Sequence, residues 1–192
     1  MSGNGRSDRH EHHHRGIAKA PEPFFLEMLP RIPRGLALDV AAGHGRHSLA
    51  LARAAGICVI AVDNSADAMR ELKNAALAES LPIWPAIGDL DNFPLGANRF
   101  DAIINVNFLD RALFPKFVQA LKPGGVLLAD TFLIEQASIA HPRSPQHLLK
   151  HGELRDLMGG LEVEVSYERL VEYSDGTRAW RSGALGRKTG SG

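Results

Sequence analysis

The segment Leu36-Ala37-Leu38-Asp39-Val40-Ala41-Ala42-Gly43-His44-Gly45-Arg46-His47-Ser48 constrains the fold more than any other part of the chain. It reads as a short apolar strand, a tight turn and the first turn of a helix. Gly43 and Gly45 lack a Cβ, so the turn can take positive φ and bring its backbone close to a ligand. The helix behind it directs unpaired N–H groups and a positive dipole end at whatever lies over the turn. A nucleotide-like ligand suits that geometry.

Two acidic residues narrow the choice of nucleotide. The next apolar run, Ile57–Val62, ends in Asp63, where a carboxylate at the end of a second parallel strand can accept from both hydroxyls of a ribose. The run Ile83–Gly88 is followed by Asp89-Leu90, a second acid at the next strand end. A dinucleotide fold accounts for Asp63 equally well but makes no demand for Asp89. Its glycine fingerprint is only partly met, since Ser48 stands where a third small residue belongs, and Asp39 sits inside the first strand end. The plainer alternative for Asp63 and Asp89 is that each caps the helix or turn that follows.

From Leu36 onward strands and helices alternate. Strands are expected at 36–41, 57–62, 83–88, 100–106 and 125–132, nearly unbroken apolar runs of the kind covered on both faces. Helices are expected at 46–55, 66–79 and 112–121, with a short one at 23–29 ahead of them. Asn64 or Ser65 is placed to cap the second, and Pro115 falls in the opening turn of the third. Such alternation predicts an α/β, doubly wound, mostly parallel Rossmann-like sheet with right-handed crossovers. The C-terminal part differs. Leu161, Val163, Val165 and Tyr167 alternate with polar residues, and Asp175-Gly176 marks a turn before Thr177–Leu185. These predict an antiparallel pair with one wet face.

The chain at this point resembles the class I S-adenosylmethionine-dependent methyltransferases. The resemblance rests on Leu38-Asp39-Val40-Ala41-Ala42-Gly43-His44-Gly45, on Asp63, on Asp89-Leu90, on Phe100-Asp101-Ala102-Ile103-Ile104 and on Leu121-Lys122-Pro123-Gly124-Gly125. Within that class, Gly45-Arg46-His47-Ser48 and Gly152-Glu153-Leu154-Arg155 look like the small tellurite-resistance-protein type. The resemblance covers about residues 34–188 and implies a seven-stranded sheet ending in an antiparallel strand inserted beside the fifth.

It also implies S-adenosyl-L-methionine as cofactor and a set of residues to hold it. Asp39 organises the loop, and the backbone of Ala41, Ala42, Gly43, His44 and Gly45 runs against the methionine and ribose. Asp63 takes the ribose hydroxyls and Asn64 flanks the adenine. Asp89 accepts from the adenine amine, the Leu90 N–H donates to a ring nitrogen, and Asn105 offers its backbone carbonyl to the methionine ammonium. No covalent nucleophile is required, because holding donor and acceptor in line supplies most of the acceleration. The loops Asn107–Arg111 and Glu135–His151 are expected to roof the acceptor side. Asp110 or His141 is a candidate general base, and Arg143 and Arg178 are candidates for attracting an anionic acceptor. A soft S, Se or Te acceptor needs no base.

Composition sets the outer bounds. The chain has 192 residues, enough for one well-buried core, with residues 20–188 expected to form a single domain. Residues 1–19, which include His10, His12, His13 and His14, are expected to be a disordered tail that binds metal at most adventitiously, and residues 189–192 a second short tail. No built metal site is expected. Lys plus Arg equals Asp plus Glu at 22 each, which gives no basis for nucleic acid or an anionic membrane as partner. No apolar run approaches a membrane span and no secretory segment is visible, so a cytoplasmic location and a small-molecule acceptor are expected. Two other readings stand beside the methyltransferase: a non-catalytic S-adenosylmethionine-binding sensor, and an NAD(P)-dependent oxidoreductase. The second lacks any Tyr-x-x-x-Lys pair.

Overall fold

The computed structural model describes residues 20–90 and 92–190; the His-rich segment expected to be a tail lies outside them, as do Ser191 and Gly192. The elements in chain order are α1 (Pro23–Met28), β1 (Gly35–Val40), α2 (Arg46–Arg53), β2 (Ile57–Asp63), α3 (Ala66–Ala78) and β3 (Ile83–Ile87). They continue as β4 (Phe100–Val106), α4 (Leu113–Ala120), β5 (Leu121–Phe132), α5 (Glu153–Leu157), β6 (Glu162–Glu172) and β7 (Arg178–Arg187). The strands form one seven-stranded sheet in the order β3-β2-β1-β4-β5-β7-β6. β1 to β5 are parallel, and β7 enters antiparallel between β5 and β6. The doubly wound sheet with an antiparallel C-terminal pair is therefore the architecture that the alternation predicted.

Both sheet faces are covered, which is why the central strands carry apolar residues at consecutive positions. On one face α1, α2 and α3 bury Phe24, Phe25, Leu49, Met69 and Leu72 against Val59, Ala102 and Ile104. On the other, α4 and α5 bury Leu113, Phe117 and Leu154 against Leu38, Ile103 and Leu127. β6 is the outer strand, and its exposure alternates along Glu162–Tyr167 as a half-wet edge should.

Three local details refine the expected boundaries. The helices are one or two residues shorter than their periodicity suggested, and a 3₁₀ turn at Leu29–Arg31 continues α1. Of the two candidates for the α3 cap, Ser65 takes the role, its Oγ accepting from the Ala68 N–H at 3.3 Å. Pro123-Gly124-Gly125 does not precede β5 but lies inside it. Leu121 already pairs with Phe100, and the register shifts before Ala102 pairs with Val126. Gly124 takes a φ of 80°, and a Cβ on Gly125 would press on the Lys122, Asp101 and Phe100 carbonyls, so this bulge requires its glycines.

Gly45 shows why the first turn is built from glycine. It is the residue before α2, with a φ of 78°, and an added Cβ would overlap the side chain of Leu72 from α3. Gly45→Ala combines backbone strain with overpacking and is expected to cost about 2–4 kcal/mol of stability. Urea unfolding measures it; a loss below about 0.5 kcal/mol would mean that the turn relaxes freely.

Candidate functional site

At the carboxyl ends of β1 to β4 lies a cleft of about 360 Å³. Five residues expected at a cofactor site line it, namely Ala41, Asp63, Asn64, Asp89 and Leu90; Gly88, Phe108 and Asp110 complete the wall. Its place is where open α/β sheets bind ligands, beside a reversal of strand order, here between β1 and β4.

Asp63 ties the glycine turn to the second strand. Its Oδ2 accepts from the Gly43 N–H at 2.7 Å and its Oδ1 from the Ser65 N–H at 2.9 Å. The carboxylate thus caps a local turn and also braces the loop across the cleft, so the two sequence readings of this residue are compatible. Each oxygen keeps a further lone pair for a ligand. The turn itself is held by Ala42 N–H to the Val62 carbonyl at 3.0 Å and Gly45 N–H to the Ala42 carbonyl at 2.9 Å. Ala41 and Gly43 take φ of 50° and 53°, and His44 points away to Glu71 at 2.8 Å. Asp89 anchors the turn after β3 by accepting from Asn92 Nδ2 at 3.1 Å.

Other expected site residues sit below or beside the cleft. Asp39 is 1% exposed, and its Oδ2 accepts from Ser48 Oγ at 2.6 Å. Burial pushes its carboxyl up to about 7, against the Ser48 hydrogen bonds that lower it. Asn105 is buried in β4 between Val40 and Ala129, and its Oδ1 has no partner among the described residues. Asp110 lines the cleft but also accepts from the Ala112 N–H at 2.9 Å ahead of α4. His141 and Arg143 lie in the connection between β5 and α5, and neither is among the described cleft residues. That connection is fastened down. Arg111 donates to the Gln146 and Leu148 carbonyls and to Glu153, while His151 bridges Glu135 and Glu168. Arg178, at the start of β7, is exposed.

Along the sheet edge past β4 lies a polar network that sequence reading missed. Glu22, just before α1, is 4% exposed. Its Oε1 accepts from Arg46 Nη2 at 2.8 Å and from Asn107 Nδ2 at 3.2 Å, and its Oε2 from the Tyr173 hydroxyl at 2.8 Å. Its own N–H donates to His47 Nε2 at 3.2 Å. Arg181, 1% exposed, lies 4.0 Å from Glu22, donates from Nε to Asp130 Oδ1 at 3.0 Å and stacks over Phe132. Tyr167 donates to the same Asp130 oxygen at 3.1 Å, and Asp130 Oδ2 is buried with no partner among the described residues.

Electrostatics in this network follow from burial and pairing. Burial works to raise Glu22, but Arg181, the Tyr173 hydroxyl, Arg46 and Asn107 outweigh it and hold the carboxyl below its usual range. Burial dominates at Asp130 and raises it despite Arg181. Burial also pushes the His47 imidazole down to about 3, so the ring is neutral with Nε2 as acceptor. A signal for part of this was available: Asp130 is a lone charge in the apolar run Val126–Phe132, and such a charge needs a buried partner.

Comparison with known proteins agrees with this geometry. Residues 37–125, a little under half of the chain, match the family model of the methyltransferase domain. A structure solved for the conversion of a disulfide bond into a thioacetal group during echinomycin biosynthesis is 22% identical (TM-score 0.70, covering 90% of this chain and 84% of that one). TehB from Haemophilus influenzae is 20% identical, with a TM-score of 0.75 over 88% of this chain and 63% of its own. A putative sarcosine dimethylglycine methyltransferase from Galdieria sulphuraria is 18% identical, with a TM-score of 0.69 over 91% and 93%. No curated protein matches the sequence. The fold is the Rossmann-like methyltransferase fold, and the matched segment holds the glycine turn, Asp63 and Asp89.

Proposed function

We propose that the protein transfers a methyl group from S-adenosylmethionine to a small-molecule acceptor. The observation that carries this reading is the cleft over β1 to β4, in which Asp63 and Asp89 stand at successive strand ends beside the glycine turn that Asp63 braces. The donor set fits the cofactor. Asp63 has acceptor capacity left for a ribose diol, Asp89 and the Leu90 N–H suit the adenine edge, and Leu90 and Phe108 offer apolar walls to its ring. The backbone at Ala41 to Gly45 would pass along the methionine portion. When bound, S-adenosylmethionine supplies a methyl group on a positively charged sulfur. The chain contributes orientation, and the roof loops are anchored by Leu109 and Leu149, which are themselves buried in the core with Leu133.

A soft S, Se or Te acceptor of the tellurite-resistance type is the finer proposal. Among the candidates for a base, Asp110 alone is in the cleft wall, and its Oδ1 is engaged by the Ala112 N–H; a soft nucleophile dispenses with that role. Likeness to TehB and to the disulfide-to-thioacetal structure points the same way.

S-adenosylmethionine and S-adenosylhomocysteine are each expected to raise the melting temperature, whereas NAD and NADP leave it unchanged. Asp63→Ala should weaken S-adenosylhomocysteine at least about tenfold in isothermal titration, through the loss of charge-assisted hydrogen bonds. Stabilisation by NAD instead would return the site to the oxidoreductase reading. Release of S-adenosylhomocysteine with thiols, selenite, tellurite and small amines tests the acceptor; tight cofactor binding without turnover on any of them favours a sensor.

A further inference from the structure

A second pocket, of about 250 Å³, lies between α5 and the β6–β7 pair. It shares no residue with the cleft over β1 to β4, and methyl transfer makes no use of it. Strand alternation sets its floor. Ala184 of β7 packs with Leu154 of α5, so Ser182, two positions earlier on the strand, faces the same side. Ser166 and Glu168 of β6 pair with Ala184 and Ser182 and face that side as well. Leu154 and Arg155 supply the opposite wall.

The polar groups of this pocket do not satisfy one another. Ser182 is 2% exposed, yet its hydroxyl has no hydrogen-bond partner among the described residues. A buried hydroxyl in that position is unfavourable unless water or a ligand meets it. Arg155 donates from Nη1 to Ser166 Oγ at 3.2 Å and has no acidic partner among the described residues. Its guanidinium keeps donors that match a carboxylate. Glu168 accepts from the Gly152 N–H at 2.8 Å and pairs with His151 Nδ1 at 2.7 Å, while Glu135 takes the other nitrogen of the same ring. One imidazolium at most answers two carboxylates, so the Glu168 side keeps a surplus of negative charge.

We propose that this pocket binds a small α-amino acid as its zwitterion. Arg155 takes the carboxylate, Glu168 takes the ammonium, and the Ser182 hydroxyl gains the partner it lacks within the chain. Charge decides against simpler ligands. A plain anion would be repelled by Glu168 and a plain amine by Arg155, whereas a zwitterion pairs with both. Size sets the other bound, because the volume falls below the usual range for drug-sized molecules and suits a ligand of few heavy atoms. Leu154 and Ala184 give a short apolar side chain a surface to rest on.

The test uses L-alanine, which carries both charges, beside propionate, which lacks the ammonium, and ethylamine, which lacks the carboxylate. Each is titrated into the isotope-labelled full chain while the amide resonances of Gly152 and Ser182 are followed by NMR. L-alanine should saturate with a Kd of about 1 mM or tighter, and the other two should bind at least about tenfold more weakly. Arg155→Gln, at an exposed position, should weaken L-alanine about tenfold, and Ser182→Ala about threefold. Neither should alter S-adenosylhomocysteine binding at the separate cleft. No saturation by about 50 mM L-alanine, propionate binding as tightly as L-alanine, or wild-type affinity in Arg155→Gln overturns the proposal. Arg155→Gln serves even if Ser182→Ala does not fold.

Discussion

Arg181→Met is expected to remove about 3–5 kcal/mol of stability, a large part of the total for a domain of this size. The Arg181 and Asp130 side chains are each 1% exposed and meet at 3.0 Å, with a second donation from Arg181 Nη2 to the Asp130 carbonyl at 3.2 Å. Removing the guanidinium strands the Asp130 carboxyl in apolar surroundings, with only the Tyr167 hydroxyl left to it. It also takes away the arginine stacked on Phe132 and the neighbouring charge that helps keep Glu22 ionised. The melting temperature should fall by about 10 °C. Asp130→Asn combined with Arg181→Met removes both charges of the pair while Glu22 keeps Arg46, and should recover more than half of the loss, since intact buried pairs are often worth little against neutral replacements. Urea unfolding of the two single variants and the double variant measures this. If Arg181→Met alone costs less than about 1 kcal/mol, water reaches the site and the pair is not the buried clasp described.

The second large effect is a cancellation that single substitutions expose. Asp39 is raised from 3.8 to about 7, so over the pH range between those values the folded state keeps a proton that the unfolded chain has released. Its contribution to stability is present in acid and is lost as pH rises toward 7. His47 is lowered from 6.5 to about 3, so on acidification the unfolded chain takes up a proton that the folded state refuses. Its contribution is present above pH 6.5 and is lost as pH falls toward 3. The two slopes have opposite signs over nearly the same window, and each amounts to about 4–5 kcal/mol across it. Together they leave the wild type nearly flat from these groups. Asp39→Asn should therefore lose stability on going from pH 6.5 to 4 relative to wild type, and His47→Gln should lose it in the other direction. Comparison at each pH removes the contribution of the remaining titrating groups, which all three proteins share. Parallel profiles for the three would mean that neither group is perturbed.

Legibility of the site followed the range of its interactions. The glycine turn, Asp63 and Asp89 are strand-end features, and the strands were readable because burial on both faces leaves uninterrupted apolar runs. His47 was harder. In the sequence it reads as a polar residue in the first turn of a helix, yet the structure buries it at 4% exposure against Phe25 and gives its Nε2 to the Glu22 N–H. Pro123-Gly124-Gly125 was found as a motif but placed ahead of the strand, since a bulge that stays within a ladder shows only in the pairing of its neighbours.

Periodicity and glycine placement were enough to set the succession of strands and helices and the antiparallel ending, because each depends on neighbours a few positions apart. The Glu22 network was settled by packing across the sheet. Tyr173 and Glu22 are 151 positions apart, Asn107 and Glu22 85, and Arg181 and Asp130 51. Apart from Asp130, a lone charge in an apolar run, no local pattern distinguishes these residues from ordinary surface polar groups. They became one cluster, with Glu22, Asp130 and Arg181 buried at its centre, only because α1 docks against β5.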